Sequence, residues 1–381
     1  MPTVSRSVAG TLPDGRTVDR WRLATAGGIS VDTLTLGASL HAVRCPDAGG
    51  RVADVVLSPS RLEDKLGPAR YFGATIGRYA NRIAHGLLPT ADGTVRLGSN
   101  EGGTTLHGGP EGFDTRLWAA RAITGGGRSG VEFHLVSRDG DQGFPGTVEV
   151  TVGYTLGEDG ALRIDYAAAS DAPTVVNLTN HTYWNLAGGT DDTILDHELR
   201  VAADHFLPVD AELIPLPGRP RAVLGTPFDL TEPRRLRDVL GAADEQLGLA
   251  SGGLDHNWVL RRPGGGAPEL ATVLHHAATG RRLECLTTEP GVQIYTGNQF
   301  SGTGAEPAVF SPVRYGAVAI ETQHFPDSPR RPDYPSVWLR PGADYRSTTV
   351  FRLSTDGATR PPAGRPWSSG CVRDTDDFSS V

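Results

Sequence analysis

The sequence predicts a mainly β protein, a large antiparallel β-sandwich with a few short helices, and two observations carry that prediction. Glycine (49) and proline (28) recur at short intervals along the 381 residues, the texture of many short strands joined by turns. Apolar and polar residues alternate with a period of two over several segments, whereas long runs at helical spacing are scarce. A β-sandwich of this length can stay undivided. Residues 1–355 therefore read as one domain, followed by a tail, 356–381, rich in Pro, Gly, Ser and Asp and predicted to be flexible.

Taken in order, Ile29, Val31, Thr33 and Thr35 alternate with Ser30, Asp32 and Leu34 up to Gly37, which predicts the first strand. Ser58 to Gly67 carries the serine, proline and terminal glycine that punctuate a short helix. Val131, Phe133 and Leu135 mark a further strand. The clearest hairpin runs from Val148 to Leu156, turns at Gly157-Glu158-Asp159-Gly160 and returns through Leu162, Ile164 and Tyr166. Val175 to Leu186 interleaves Val175, Leu178, Trp184 and Leu186 with polar groups, predicting a strand with one wall in the core and one in a polar cleft. Thr231 to Gly241 predicts a second helix, with Thr231 as N-cap and Gly241 as stop. Tyr345, Ser347, Thr349, Phe351 and Leu353 give a late strand that closes the domain.

The net charge of -8 is modest and no run of basic residues occurs, which argues against nucleic acid and against an anionic membrane surface as partner. A neutral small molecule fits better. Cys45, Cys285 and Cys371 lie far apart, without the spacing of a zinc site or the density of a disulfide framework, so a reducing cytoplasm is the expected setting. The segment Met1 to Arg6 lacks the apolar run of a signal peptide, and no stretch reaches the ~20 apolar residues of a membrane span. Asn177-Leu178-Thr179 and Asn180-His181-Thr182 match glycosylation sequons, but both fall inside the predicted packed strand and are discounted.

His181, at the centre of that strand, can exchange a proton near neutral pH, and polar groups in five other stretches could join it. These are Arg82 in Tyr71 to Ile83, His107 in Leu106-His107-Gly108-Gly109, Asp255 in Gly253 to Leu260, Gln293 in Pro290 to Asn298, and Glu321 in Ala319 to Asp327. Singly, each is more often structural: a buried histidine is usually a satisfied core residue, and an arginine beside an aromatic is usually a surface residue. Together they are two histidines, two carboxylates, an arginine and a glutamine with apolar flanks and no phosphate loop. That set suits a sugar, whose hydroxyls these groups match and whose C–H face can rest on an aromatic such as Trp184. A carboxylate arriving after the apolar Val318-Ala319-Ile320 is expected to be partly desolvated and hence basic enough to take a proton.

The sequence also resembles the aldose 1-epimerase, or galactose mutarotase, family, whose recurring phrases occur here in order. They are Gly77-Arg78-Tyr79-Ala80-Asn81-Arg82-Ile83, Leu106-His107-Gly108-Gly109, Gly143-Phe144-Pro145-Gly146, Asn177 to Leu186, Gly225-Thr226-Pro227-Phe228-Asp229, Leu254-Asp255-His256-Asn257, Pro290-Gly291-Val292-Gln293 and Glu321 to Asp327. The resemblance implies a mutarotase-like sandwich with an open cleft on one face, a monosaccharide substrate and no cofactor or metal. It implies Glu321 as general base, His181 as general acid, and Asn81, Arg82, His107, Tyr183, Asp255 and Gln293 as sugar-binding residues. Trp184 stands where phenylalanine is common, and Ser328 to Asp333 is an unusually basic version of the loop after the glutamate.

The chemistry implied is ring opening, in which the base takes the anomeric hydroxyl proton while protonated His181 delivers one to the ring oxygen. His181 is then expected to hold a pKa near or above neutrality. Three enzymatic or binding rivals stay open at this point: a glycoside hydrolase using Asp255 and Glu321, a non-catalytic sugar-binding module, and a hexose-phosphate epimerase using Arg330 and Arg331. A metal site is disfavoured because His107, His181, Asp255 and Glu321 show no close ligand spacing. Monomer and homodimer are both compatible with the sequence.

Overall fold

The computed structural model describes residues 2–125, 128–189, 193–261, 266–302 and 312–356. The tail expected from 356 onward lies, beyond Asp356, outside the described residues, as does Cys371.

Three antiparallel sheets make the body. A nine-stranded sheet runs in the order Ala119–Gly125, Arg128–Ser137, Val148–Leu156, Ala161–Ser170, Tyr345–Thr355, Arg281–Thr287, Glu269–His276, Glu198–Val201 and Arg234–Arg235. A seven-stranded sheet runs Arg221–Ala222, Ala203–Leu207, Asp255–Leu260, Gly291–Tyr295, Val318–Gln323, Tyr183–Trp184 and Val56–Leu57. The third has five strands, from Thr3–Thr11 to Val52–Asp54. One apolar core joins them: Val131, Phe133, Ile164 and Phe351 of the nine-stranded sheet meet Trp258, Ile294, Val318 and Ile320 of the seven-stranded one, with Leu23, Val31 and Leu40 added from the third. Among the described residues no helix is long and apolar enough to cross a membrane.

The period of two explains why the seven-stranded sheet carries a site. Val292, Ile294, Val318 and Ile320 point into the core, so Gln293, Tyr295, Ala319 and Glu321 must point the other way. Register then aligns them, because Asn257 pairs with Gln293, Gln293 with Glu321, and Asp255 with Tyr295. Residues far apart in the chain thus share one polar face.

The expected hairpin is present as Val148–Leu156 paired with Ala161–Ser170, and Arg128–Ser137 lies beside it. Other expectations need correction. Ser30–Leu34 is the third strand, because Thr3–Thr11 and Thr17–Ala24 form a hairpin ahead of it. The first of these lies at a sheet edge with mostly exposed side chains, which blurs its apolar period. The strand from Tyr345 is the last element among the described residues, and it lies between Ala161–Ser170 and Arg281–Thr287 in the middle of the largest sheet. Only Glu63–Leu66 of the first helix candidate is helical, as a 3-10 turn, and only Leu236–Leu240 of the second. Arg235 rather than Thr231 precedes that helix, since Thr231 uses its hydroxyl on Asp229, while Gly241 does end it. Val175 to Leu186 is covered by three two-residue strands, Thr174–Val175, Thr179–Asn180 and Tyr183–Trp184, which share no pairing partner. The breaks between them turn polar side chains inward.

Candidate active site

Two loops are pinned against the polar face of the seven-stranded sheet. The segment holding His181 is fixed by its backbone: His181 N–H donates to Ala74 O at 2.9 Å and Gly73 N–H donates to His181 O at 2.9 Å. Asn180 adds a 2.7 Å hydrogen bond from its side-chain amide to Gly73 O. In the other loop, Asn81 and His107 face one another, both in the left-handed region with φ of 65° and 52°. His107 N–H donates to Asn81 O at 3.0 Å, and Asn81 N–H donates to His107 Nδ1 at 3.1 Å.

That last hydrogen bond fixes the imidazole. Because Nδ1 accepts, Nε2 carries the hydrogen, and His107 presents a donor on its other side. Burial, then the neighbouring His181, Arg82 and Arg70, hold its pKa well below the usual histidine value, so the ring stays neutral. Asn81 lies beneath this turn, and its Oδ1 accepts from the Arg82 backbone N–H at 2.9 Å.

His181 Nε2 approaches Glu321 Oε1 at 3.5 Å, with both side chains buried. Burial lowers the His181 pKa to about 4. Burial likewise raises Glu321 well above the usual carboxylate range, with Asp255 adding to the effect and Arg82 opposing it. The expectation of a His181 pKa near or above neutrality is therefore corrected, because burial penalises the imidazolium. The two groups are better treated as a pair that shares one proton, held mainly by Glu321 because burial favours the neutral form of each.

Around the pair, Gln293 Nε2 donates to Asp255 Oδ1 at 2.7 Å. Asp255 Oδ2 lies 4.0 Å from Arg82 Nη1, and the other edge of the Arg82 fork is bound by Glu101 at 2.6 and 2.9 Å. Among the described residues, Gln293 Oε1 and Glu321 Oε2 have no hydrogen-bond partner although buried, so both can accept from a sugar hydroxyl. Tyr183 stacks on Phe72 at 4.1 Å and tilts against His181 at 4.8 Å, while the Tyr71 ring lies parallel to His181 at 6.0 Å and edge-on to His107 at 4.7 Å.

The structure thus brings His107, His181, Tyr183, Arg82, Asp255, Gln293 and Glu321 to one cleft, with Asn81 behind them. Trp184 is not there. It is fully buried in the main core, 5.0 Å from Phe351, because Tyr183, its neighbour in the chain, takes the opposite face. Tyr71 and Glu101 are additions that sequence reasoning missed. Tyr71 lies inside a stretch already singled out, but Glu101 gives no signal, since its pairing depends on a loop contact.

The absence of ligand spacing in the sequence is corrected by the fold: donor atoms of His107, His181 and Glu321 all come within 4.8 Å of one another. Their chemistry nonetheless suits hydrogen bonding better than metal ligation. Nε2 of His107 is protonated by the tautomer argument above, and the Arg82 cation lies among the same groups. The arginines expected to serve a phosphate are also committed elsewhere: Arg330 Nη1 donates to Ala84 O at 2.9 Å, and Arg331 Nη1 donates to Leu216 O at 3.2 Å while Nη2 pairs with Asp333 at 3.0 Å.

Fold and cleft together define an acid–base site for a polyhydroxylated molecule on an antiparallel β-sandwich. The aldose 1-epimerase family profile matches residues 19–352. The chain is 42% identical over 357 residues to the galactose mutarotase of Homo sapiens, covering 93% of this chain and 99% of that one. It is 38% identical over 346 residues to the aldose 1-epimerase of Escherichia coli (strain K12), covering 90% and 96%. The crystal structure of a galactose 1-epimerase from Lactobacillus acidophilus NCFM superposes with a TM-score of 0.80 at 27% identity, covering 93% of this chain and 99% of that one. This chain belongs to the aldose 1-epimerase family.

Proposed function

We infer that the protein interconverts the α and β anomers of free aldohexoses such as galactose and glucose, with Glu321 and His181 as the proton-transfer pair. The single observation that carries the reading is their 3.5 Å approach in a buried cleft lined by hydroxyl-binding groups. With a closed sugar bound, Glu321 as carboxylate takes the proton from the anomeric hydroxyl while His181 as imidazolium gives one to the ring oxygen. The C1–O5 electron pair leaves with O5, and the O1–H pair becomes the carbonyl π bond. The pair ends as neutral acid and neutral imidazole, the form that burial favours.

Burial favours that same neutral form before the reaction, so the proton must pass from Glu321 to His181 as the closed sugar binds, with hydrogen bonds from the sugar replacing the hydration that the charged pair lacks. Rotation about C1–C2 and the reverse transfers give the other anomer. His107 Nε2–H and the free edge of Arg82 would hold sugar oxygens, and Asp255, Gln293 and Tyr183 would hold the far side of the ring.

The rivals fit less well. A hydrolase needs a second carboxylate working at the anomeric carbon, whereas Asp255 is engaged by Gln293 and faces Arg82. A binding module has no need of a desolvated acid–base pair. Cys45 and Cys285 are buried free thiols, which supports a reducing, cytoplasmic setting. The test is polarimetry of freshly dissolved α-D-galactose beside an assay of sugar release from a galactoside. Acceleration of the first without the second is expected; the opposite pattern overturns the reading in favour of hydrolysis.

A further inference from the structure

Glu101 is the one carboxylate at the cleft that neither the resemblance nor the sequence pattern assigns. It lies in a tight loop, where Glu101 and Thr104 bridge each other across Gly102 and Gly103, both with positive φ (53° and 94°). From there its Oε2 meets Arg82 Nε at 2.6 Å and its Oε1 meets Nη2 at 2.9 Å. This occupies one whole bidentate edge of the guanidinium, the one built from Nε and Nη2. The other edge is left facing inward, where Nη1 lies 4.0 Å from Asp255. The arginine side chain is buried (6% exposed), whereas Glu101 is 39% exposed at the rim.

We propose that Glu101 is a positioning residue for the reaction: it grips the outer edge of the Arg82 fork, so that the inner edge is held toward Asp255 and the sugar. The proposal rests on the mutarotation reading and adds a residue to it. A planar fork fixed on one edge has lost its rotamer freedom before the sugar arrives, which lowers the ordering cost of binding. A lysine could not be held this way.

The same contact acts on the acid–base pair. Arg82 weakens proton binding at Glu321, and Glu101 together with Asp255 offsets that arginine's charge. The groups facing Glu321 are His181, His107, Arg82 and Asp255, with the Tyr183 and Tyr295 hydroxyls close enough to feel its charge. Removing the Glu101 charge leaves more of the arginine's field at Glu321. Protons then leave the pair more readily, and the pH profile moves downward.

The test uses the full chain with Glu101→Gln, Arg82→Lys and the double variant, read by polarimetry across pH and by calorimetric binding of D-galactose. Expected for Glu101→Gln are an unchanged unfolding midpoint, a KM for galactose raised by about tenfold, and a kcat/KM profile moved down by about half a pH unit. In the Arg82→Lys background the same change should do little, since no fork remains to be gripped. Equal effects in both backgrounds, or a Glu101→Gln variant matching the parent in KM and pH profile, would overturn the proposal. Should the parent fail to mutarotate, the functional reading falls, and the galactose affinities of the four proteins still decide whether Glu101 acts through Arg82.

Discussion

Nε2 of His181 and Oε1 of Glu321 lie 3.5 Å apart with both side chains buried, and burial drives each toward its neutral form. The reaction needs one proton on this pair. Acid supplies a second as His181 titrates at its lowered value of about 4, and alkali removes the only one as Glu321 titrates at its raised value. A bell-shaped kcat/KM profile is expected, with its acid limb well below neutrality. Glu321→Gln and His181→Asn should each lose about 10²- to 10⁴-fold in kcat while unfolding at the parent temperature. An acid limb above pH 7, or near-full activity in either variant, would contradict the assignment.

Trp184 offers a test of which face of the segment meets the sugar. Its indole is fully buried against Phe351, and its Nε1 has no hydrogen-bond partner among the described residues. Trp184→Phe gives up volume in the core but also removes an unsatisfied donor. The expected result is a loss of about 1–2 kcal/mol in unfolding free energy with KM for galactose unchanged. A KM altered by about tenfold or more would return Trp184 to the cleft.

How much of this could be read from the chain depended on whether a local pattern survives packing. The hairpin at Val148 and the strand holding Glu321 were legible, because their period of two faces a core on one side only. The segment around His181 was legible as a site but not as a structure, since three short strands with no pairing partner in common replace one strand. Asp255, Gln293 and Glu321 were separate suspicions until register placed their strands side by side. The Glu101–Arg82 grip and the His107 tautomer depend on loop geometry, with Asn81 and His107 at positive φ. No periodicity encodes that.

A partly buried ion pair ties together the elements bearing Glu321 and His181. His324 Nδ1 lies 2.6 Å from Glu289 Oε2, Tyr345 Oη donates to Glu289 Oε1 at 3.2 Å, and the His324 backbone N–H donates to Asn177 Oδ1 at 3.0 Å. Burial opposes both charges, yet Glu289 raises the His324 pKa and His324 lowers that of Glu289. The histidine's contribution is complete below its unfolded value of ~6.5 and is lost as pH rises through the higher folded one. The carboxylate's contribution is present above its unfolded value of ~4.3 and lost as pH falls through the lower folded one. Stability should thus be highest between these limits and decline above neutrality. His324→Gln should cost about 3 kcal/mol at pH 6 by stranding the carboxylate and flatten the alkaline decline. Urea unfolding at pH 6 and pH 9 checks both, and an unchanged slope would remove the pair from the account.

Gly108 separates damage to the site from damage to the fold. With φ at 86°, a Cβ there would lie 2.0 Å from Gly77 O and 2.8 Å from Arg78 N, both backbone atoms that cannot swing aside. Gly108→Ala must therefore push the His107 turn away from the Gly77-Arg78 loop segment and lengthen the Asn81 N–H to His107 Nδ1 bond. Once that bond is lost the tautomer is no longer fixed, and the donor facing the sugar becomes an acceptor part of the time. The variant should lose about 2–3 kcal/mol of stability and about 100-fold in kcat/KM. Gly50 is the matched control, with φ at 82° and nothing within 4 Å of a new Cβ. Gly50→Ala carries the backbone strain alone, about 1 kcal/mol, so it should unfold slightly earlier and turn over galactose at the parent rate. If both variants lost activity in proportion to stability, the His107 turn would be scaffolding, and the fixed tautomer would have no part in the reaction.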